Sequence, residues 1–583
     1  MNIHKPKAEA FHKASGVAGT EPDAVTVELV RNGLIAATEE MKTVLMRTAY
    51  NMIIYEALDF TVGLFDADGE TISIGLGLPM FMRGMSDTVK AQLAHFGHDG
   101  IEPGDILVTN DAYITGSHLN HPTFSMPIFD GDTIVAFATC MAHWLDIGGV
   151  LNGITTDIYS EGLQIPIVKY HKRGVLNDDV YQFIRLNVRR PERAIGDLEA
   201  QLSAVRAGAR HFQAMLQRYG RDLLLKSIEK IKGHSEALAR AAIREIPDGV
   251  YEAESFMDDD GIDLDRPVPI RVKVEVRGEE MTIDLSGVSP QVKGFYNSGA
   301  GEASAQVAFK CLTLSQDFPI NDGAYRPLKV IMPPGTVISA TRPAPMRVWM
   351  CYPMTVIDTI FKALSDAIPS KIIAAHHADL MTANVNGIHP KDNQMFLYLG
   401  GLIGGGWGAK HDEDGMSGTV CINDGDTHNG PTEQVENKYP VLVERYALRQ
   451  DSGGAGKQRG GLGTEQIVVA LAPINVNTRC DHVKNPPAGL QGGLPGAGNQ
   501  VGKRGKDGKQ SIFPNGKVTM RLDVNEAYIV RSGGGGGFGD PLKRDRERVK
   551  NDLYQGYISP AGAARDYGLD TGYAQTGPSG HSN

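Results

Sequence analysis

Within GDILVTNDAYITGSHLNHPTF (104–124) stand Asp111, His118 and His121, and the apolar run that follows ends in MAHWLDIGG, which adds His143 and Asp146. Neutral imidazole is the commonest ligand of a divalent transition metal, and a carboxylate beside it can orient the ring or move a proton. Spacing alone leaves two readings open. Either the histidines share a metal, with Asp111 and Asp146 as orienting or catalytic carboxylates, or all five are polar residues on two loop tips, the aspartates capping turns. A Cys-His nucleophile pair is the weaker competitor. Cys140 lies three residues before His143, so in an extended segment the two side chains leave opposite faces, and nothing nearby in sequence lowers the thiol pKa. Phosphate-loop chemistry is disfavoured: GAGNQVGKR (496–504) misses the required spacing and has Arg504 where a magnesium-binding hydroxyl is needed.

The elements that must hold these residues are readable from periodicity. Leu34, Ala37, Met41, Val44, Leu45 and Thr48 follow helical spacing between Asp23 and Tyr50. DFTVGLFDADGETISIG alternates around an Asp-Gly turn and predicts a hairpin, and GDILVTND, SMPIF and DTIVAFATCMA read as further strands. His118 and His121 then fall between two strands, and His143 follows a third, so both clusters sit on connections held by one sheet. A helical region runs from about Pro191 to Arg244, with Gly196, Gly208 and Gly220 as possible breaks. Near residue 247 composition turns to strands and turns, VKVEVRGEEMTIDLSG predicting a second hairpin and MTVIDTIFKALSDAIPS a helix. The pattern predicts a mixed α/β (α+β) fold in two large parts: a metal-loop domain over 23–246 and a Gly-rich domain over 247–570, with a disordered N-terminus (1–22) and a flexible tail (571–583).

Composition narrows the function classes. The charge of −11, from 58 basic and 69 acidic residues, gives no nucleic-acid surface. The first twenty residues lack the apolar core of a signal sequence, and no later run is long enough to span a membrane. Five cysteines (140, 311, 351, 421, 480), far apart and without a CxxC pair, fit a reducing cytoplasm. The 69 glycines predict many turns and close backbone approaches.

GDILVTNDAYITGSHLNHPTF, AHWLDIGG, EGLQIPIVK, GDLEAQ, DLSGVSPQVKGFYN, NDGAYRPLKVIMPPGT, DSGGAGKQRGGLG and GGGGGFGDPLKRD occur in an order that resembles the hydantoinase B/oxoprolinase family from about residue 22 to 570. The resemblance implies a division of labour. A separate ATPase of the A type uses ATP to activate the small-molecule substrate, and the B-type partner, within a hetero-oligomer, completes the reaction at a divalent metal. Carried onto this sequence, the metal ligands fall on His118, His121 and His143. Two departures stand out: His121 replaces a usual Asp, and Phe81 stands where many relatives have His. Three imidazoles favour zinc, with manganese the alternative, and an open fourth position lowers the pKa of a bound water toward ~7. Asp111 and Asp146 remain the catalytic candidates. The activity implied is ring opening of an activated hydantoin, oxoproline or lactam. Ketone carboxylation through a metal-held enolate is the first alternative and a catalytically silent scaffold the second.

Overall fold

The computed structural model describes residues 21–314, 320–400, 403–425 and 427–569. The tail expected over 571–583, and nearly all of the N-terminal stretch expected to be disordered, lie outside the described residues.

Val30, Leu34, Ala37, Met41 and Leu45 form the buried stripe of α1 (Ala24–Thr48), which starts where the Asp23 side chain accepts the Thr26 amide at 2.7 Å. The short α2 (Met52–Tyr55) turns the chain into a seven-stranded antiparallel sheet. Its strands are β1 (Phe60–Asp66), β2 (Thr71–Gly75), β3 (Ile106–Thr109), β4 (Thr123–Asp130), β5 (Thr133–Ala142), β6 (Val168–Lys172) and β7 (Val175–Leu176), in the order β2-β1-β5-β4-β3-β6-β7. The predicted hairpin is β1–β2, and the other three strand expectations are β3, β4 and β5. Alternation divides β5 between two cores: Ala136, Ala138, Cys140 and Ala142 pack with α1 and the long helix that follows the sheet, whereas Phe137 and Met141 face α3 (Phe81–Phe96). α4 (Ala112–Thr115) bridges β3 and β4.

After α5 (Asp178–Asn187), the helical region predicted over 191–244 forms two helices, α6 (Pro191–Tyr219) and α7 (Arg221–Ile243), broken at Gly220 alone. Gly196 and Gly208 do not interrupt α6. A β-carbon would come within 2.5 Å of the Tyr50 ring at Gly196 and within 2.4 Å of the Met41 sulfur at Gly208, so these glycines let α1 and the residues just after it lie close against α6.

Beyond residue 247 comes a four-stranded sheet of β8 (Gly249–Met257), β9 (Val268–Arg277), β10 (Glu280–Asp284) and β11 (Leu328–Ile331), covered by α8 (Gly301–Thr313) and α9 (Cys351–Leu364). Residues on both sides of 247, Phe137 and Met85 with Val274, Phe309 and Ile357, belong to one apolar cluster. The change at 247 is thus a change of element type within continuous packing. Two further antiparallel sheets follow. One contains β12 (Ala383–Ile388), β13 (Met395–Gly400), β16 (Ile474–Thr478) and β19 (Thr519–Leu522). The other contains β14 (Val441–Leu448), β15 (Thr464–Ala470), β17 (Gln500–Arg504), β18 (Gln510–Ile512) and β20 (Ala527–Arg531). The end of GAGNQVGKR is therefore a strand, with Arg504 paired to Glu444.

The glycine excess serves close approach. Gly406, Gly454 and Gly535 donate to the carbonyls of Gly533, Gly535 and Gly461 at 2.9, 2.8 and 2.9 Å. A β-carbon on Gly534 or Gly535 would meet the Ser452 or Trp407 carbonyl oxygen at 1.9 Å. Extended backbones are stacked here with no room for side chains. No helix among the described residues is long and apolar enough to cross a membrane.

Candidate metal centre

Two connections at one end of the seven-stranded sheet carry the histidines. The first begins at Asp111, which caps α4 by accepting the Tyr113 amide at 3.1 Å. It turns at Gly116, whose φ of +75° suits only glycine without strain, and then presents His118 and His121 before β4. The second follows β5 with His143. Reciprocal hydrogen bonds lock the connections together: the Trp144 amide donates to the Asn120 carbonyl and Asn120 Nδ2 to the Trp144 carbonyl, both at 2.7 Å. Gln201 of α6 braces the pair, accepting from Trp144 Nε1 at 2.8 Å and donating to the Pro122 carbonyl at 2.9 Å.

One nitrogen from each of His118, His121 and His143 lies within 4.8 Å of the other two, and all three residues are buried. His118 Nδ1 is 3.1 Å from the Arg347 carbonyl, which can only accept. That bond places the proton on Nδ1 and leaves Nε2 as a lone pair, 3.4 Å from Nε2 of His121. His121 Nδ1 is engaged by Ser117 Oγ, and His143 Nδ1 is buried without a hydrogen-bond partner. His121 Nε2 also faces the Asp59 carboxylate, but the buried His143 Nδ1 has no partner, and a cation among the three rings removes that penalty. Burial, and then the neighbouring histidines, hold His118 well below the usual imidazole pKa. Burial draws His143 down to about 4. Both rings are neutral at pH 7, the form a metal requires. The residues present therefore fit a divalent ion.

The structure does not bring Asp111 and Asp146 to the imidazoles. Besides its capping bond, Asp111 pairs with Arg342 at 2.8 Å. Asp146 accepts the Gly148 amide at 3.1 Å, Arg189 Nη1 at 2.6 Å and the Arg189 amide, so its carboxylate ties the second connection to the start of α6 and orients no histidine. The carboxylate beside the histidines is Asp59, which the spacing of the motifs does not point to: its Oδ1 is 3.1 Å from His121 Nε2. Burial raises the Asp59 pKa, but His121 and His143 outweigh it and bring the group below the ordinary carboxylate range. Asp59 immediately precedes β1, whose first residue Phe60 pairs with Ala142, so sheet pairing sets it next to His143. Within the sequence no short spacing links it to the histidines.

Phe81, the second departure, stands at the start of α3 with its ring edge-on to His121 at 4.5 Å between centroids, and Trp349 stacks behind it at 5.8 Å. A cavity of about 100 Å³ opens onto His118, His143 and Asp59, and Arg347 and Arg479 also line it. Neither arginine is singled out by local sequence.

Residues 23–541 match the family model described as Hydantoinase B/oxoprolinase. The chain is 33% identical to the beta subunit of caprolactamase from Pseudomonas jessenii, over 94% of this chain and 96% of that one. The crystal structure of that organism's ATP-dependent caprolactamase superposes with a TM-score of 0.88 at 30% identity, covering 95% of this chain and 98% of the other. The B subunit of a putative D-/L-hydantoinase of Pseudomonas sp. (strain NS671) is 30% identical over 94% of this chain and 95% of its own length. A nucleotide-free acetone carboxylase structure shares the fold, with a TM-score of 0.87 at 19% identity over 93% of this chain and 79% of that one. With its ordered motifs, its fold and the extent of these matches together, the chain belongs to the hydantoinase B/oxoprolinase family.

Proposed function

We propose that this chain is the metal-dependent catalytic B-type subunit of an ATP-dependent cyclic-amide hydrolase, acting on a hydantoin, oxoproline or lactam ring activated by a separate A-type ATPase subunit. The convergence of one nitrogen each from His118, His121 and His143, two of these residues lining the cavity, is the observation that carries the reading. Three nitrogen donors favour zinc, and the Asp59 oxygen beside them also admits manganese. A divalent ion held there supplies Lewis acidity to the carbonyl under attack and a nucleophile at neutral pH.

The remaining work falls to the chain's own groups. The Arg347 carbonyl and Ser117 fix the His118 and His121 rings, so the nitrogens stay aimed at one point. Asp59, ionised at neutral pH, is the carboxylate placed to take up a proton, the role that motif spacing assigns to Asp111 and Asp146. Phe81 and Trp349 wall the site with apolar rings and keep bulk water from the reacting carbonyl.

The test is reconstitution with the cognate A-type ATPase, metal analysis, and turnover of caprolactam, hydantoin and 5-oxoproline with and without ATP. Stoichiometric metal and ATP-dependent ring opening of at least one ring are the expected results. An active complex without metal overturns the reading, and labelled bicarbonate incorporated into a ketone-derived product replaces it with carboxylation.

A further inference from the structure

Arg479, directly after β16, is 6% exposed and lies over the Phe295 ring at 5.3 Å. Its Nε donates to Asn477 Oδ1 at 3.0 Å. With the Asn384 amide oxygen turned toward the guanidinium, Nη1 and Nη2 donate to it at 3.1 and 2.8 Å. Both partners are neutral. Arg347, on the same cavity, donates to the Val150 carbonyl, which is also neutral. Neither guanidinium has an ion-pair partner among the described residues, and Asp146, whose charge reaches Arg347, is paired with Arg189 at 2.6 Å.

Glu161 is the acid whose charge acts on both, but its carboxylate is directed elsewhere. It accepts Thr155 Oγ1 at 2.6 Å and the Met346 and Arg347 amides at 3.0 Å, and burial pushes it up to about 7. Burial, followed by mutual repulsion, lowers the Arg479 pKa to about 9. Arg479, buried, and Arg347, partly buried, repel one another and have only neutral hydrogen-bond partners, a costly arrangement. Its cost is recovered when an anion enters, and a guanidinium fork matches phosphate and carboxylate oxygens in pairs.

We propose that Arg479 and Arg347 form an oxyanion-binding subsite beside the three histidines, which grips the anionic group of the substrate, a phosphoryl group left by ATP-dependent activation or a carboxylate. The inference rests on the reading of the histidine centre given above and names what the same cavity takes. Arg347 then has two tasks, its carbonyl fixing His118 and its side chain holding the anion.

The full-length chain, stripped of metal by chelation, is titrated with methyl phosphate and separately with acetate, followed by calorimetry and thermal melting. Metal content of the untreated protein is measured in parallel. At least one anion is expected to bind and raise the melting temperature, as any ligand of the folded state does. Arg479→Gln and Arg347→Gln each weaken that binding at least tenfold while the untreated variants keep their metal. Preference for methyl phosphate identifies a phosphoryl group and preference for acetate a carboxylate, and either supports the subsite. Arg479→Met, which removes an unpaired charge, is expected to melt no lower than wild type in the absence of anion yet to lose the anion-induced rise. A merely structural arginine gives a lower melting temperature and no change in anion binding on Arg347→Gln. Failure of the wild type to bind either anion, or unchanged binding in both Gln variants, overturns the proposal. If the Arg479 variants do not fold, Arg347→Gln decides alone. A native chain without metal whose anion binding still depends on Arg479 sinks the metal reading and leaves the subsite standing.

Discussion

The molecule holds a second group of buried histidines, and the contrast with the first shows what makes a metal centre. His376, His377 and His482 are as well buried as His118, His121 and His143. They too include nitrogens without partners, Nε2 of His376 and both ring nitrogens of His377. Their lone pairs do not meet. The His376 and His377 rings lie 5.7 Å apart at 77°, and His376 Nδ1 is clamped by both oxygens of Asp358 at 2.9 Å. His482 is saturated by the Asn485 carbonyl and Thr355 Oγ1. Among the described residues only the first group brings three donor nitrogens to one point. Convergence, rather than the number or burial of the histidines, separates them.

The largest effect expected from this contrast is on metal. His118→Ala with His143→Ala should abolish stoichiometric metal and reduce ATP-dependent turnover to background, whereas His376→Ala should leave metal content unchanged. Equal loss in both proteins would break the distinction. Ser117→Ala removes the group that holds the His121 ring and should cost roughly 10–100-fold in metal affinity, read by competition with a chelator.

A smaller effect appears in acid. Burial holds His377 down to about 3, whereas the unfolded chain takes up that proton near ~6.5. The stability this difference contributes is fully present above pH ~6.5 and is lost as pH falls toward the folded value. In urea melts His377→Phe should therefore lose less stability than wild type between neutral pH and pH ~4, by on the order of a few kcal/mol, with metal binding untouched. Smallest is His376→Ala itself, which strips the Asp358 carboxylate of its imidazole partner and should lower unfolding stability by about 1–3 kcal/mol.

How legible the centre was depended on the range of the contacts involved. α1, the β1–β2 hairpin, the strands flanking the histidines and the break at Gly220 follow from neighbours a few residues apart, where side-chain period and turn chemistry act. The same local logic misjudged Gly196 and Gly208, because an internal helical glycine looks like a breaker until the crossing helix it admits is known. The motif order carried the three histidines, but Asp111 and Asp146 were promoted by proximity along the chain and are held by Arg342 and Arg189 instead.

The sequence by itself determined that two histidine-bearing connections flank neighbouring strands, that the chain is a mixed α/β protein and that its glycines bring backbones together. Only the tertiary structure decided that Asp59 lies against His121, that Phe81 packs edge-on against the same ring and that Arg347 and Arg479 face the same cavity. Those pairings join residues tens to hundreds of positions apart. Sheet order and the direction of each side chain set them, and neither is encoded in any short window of the chain.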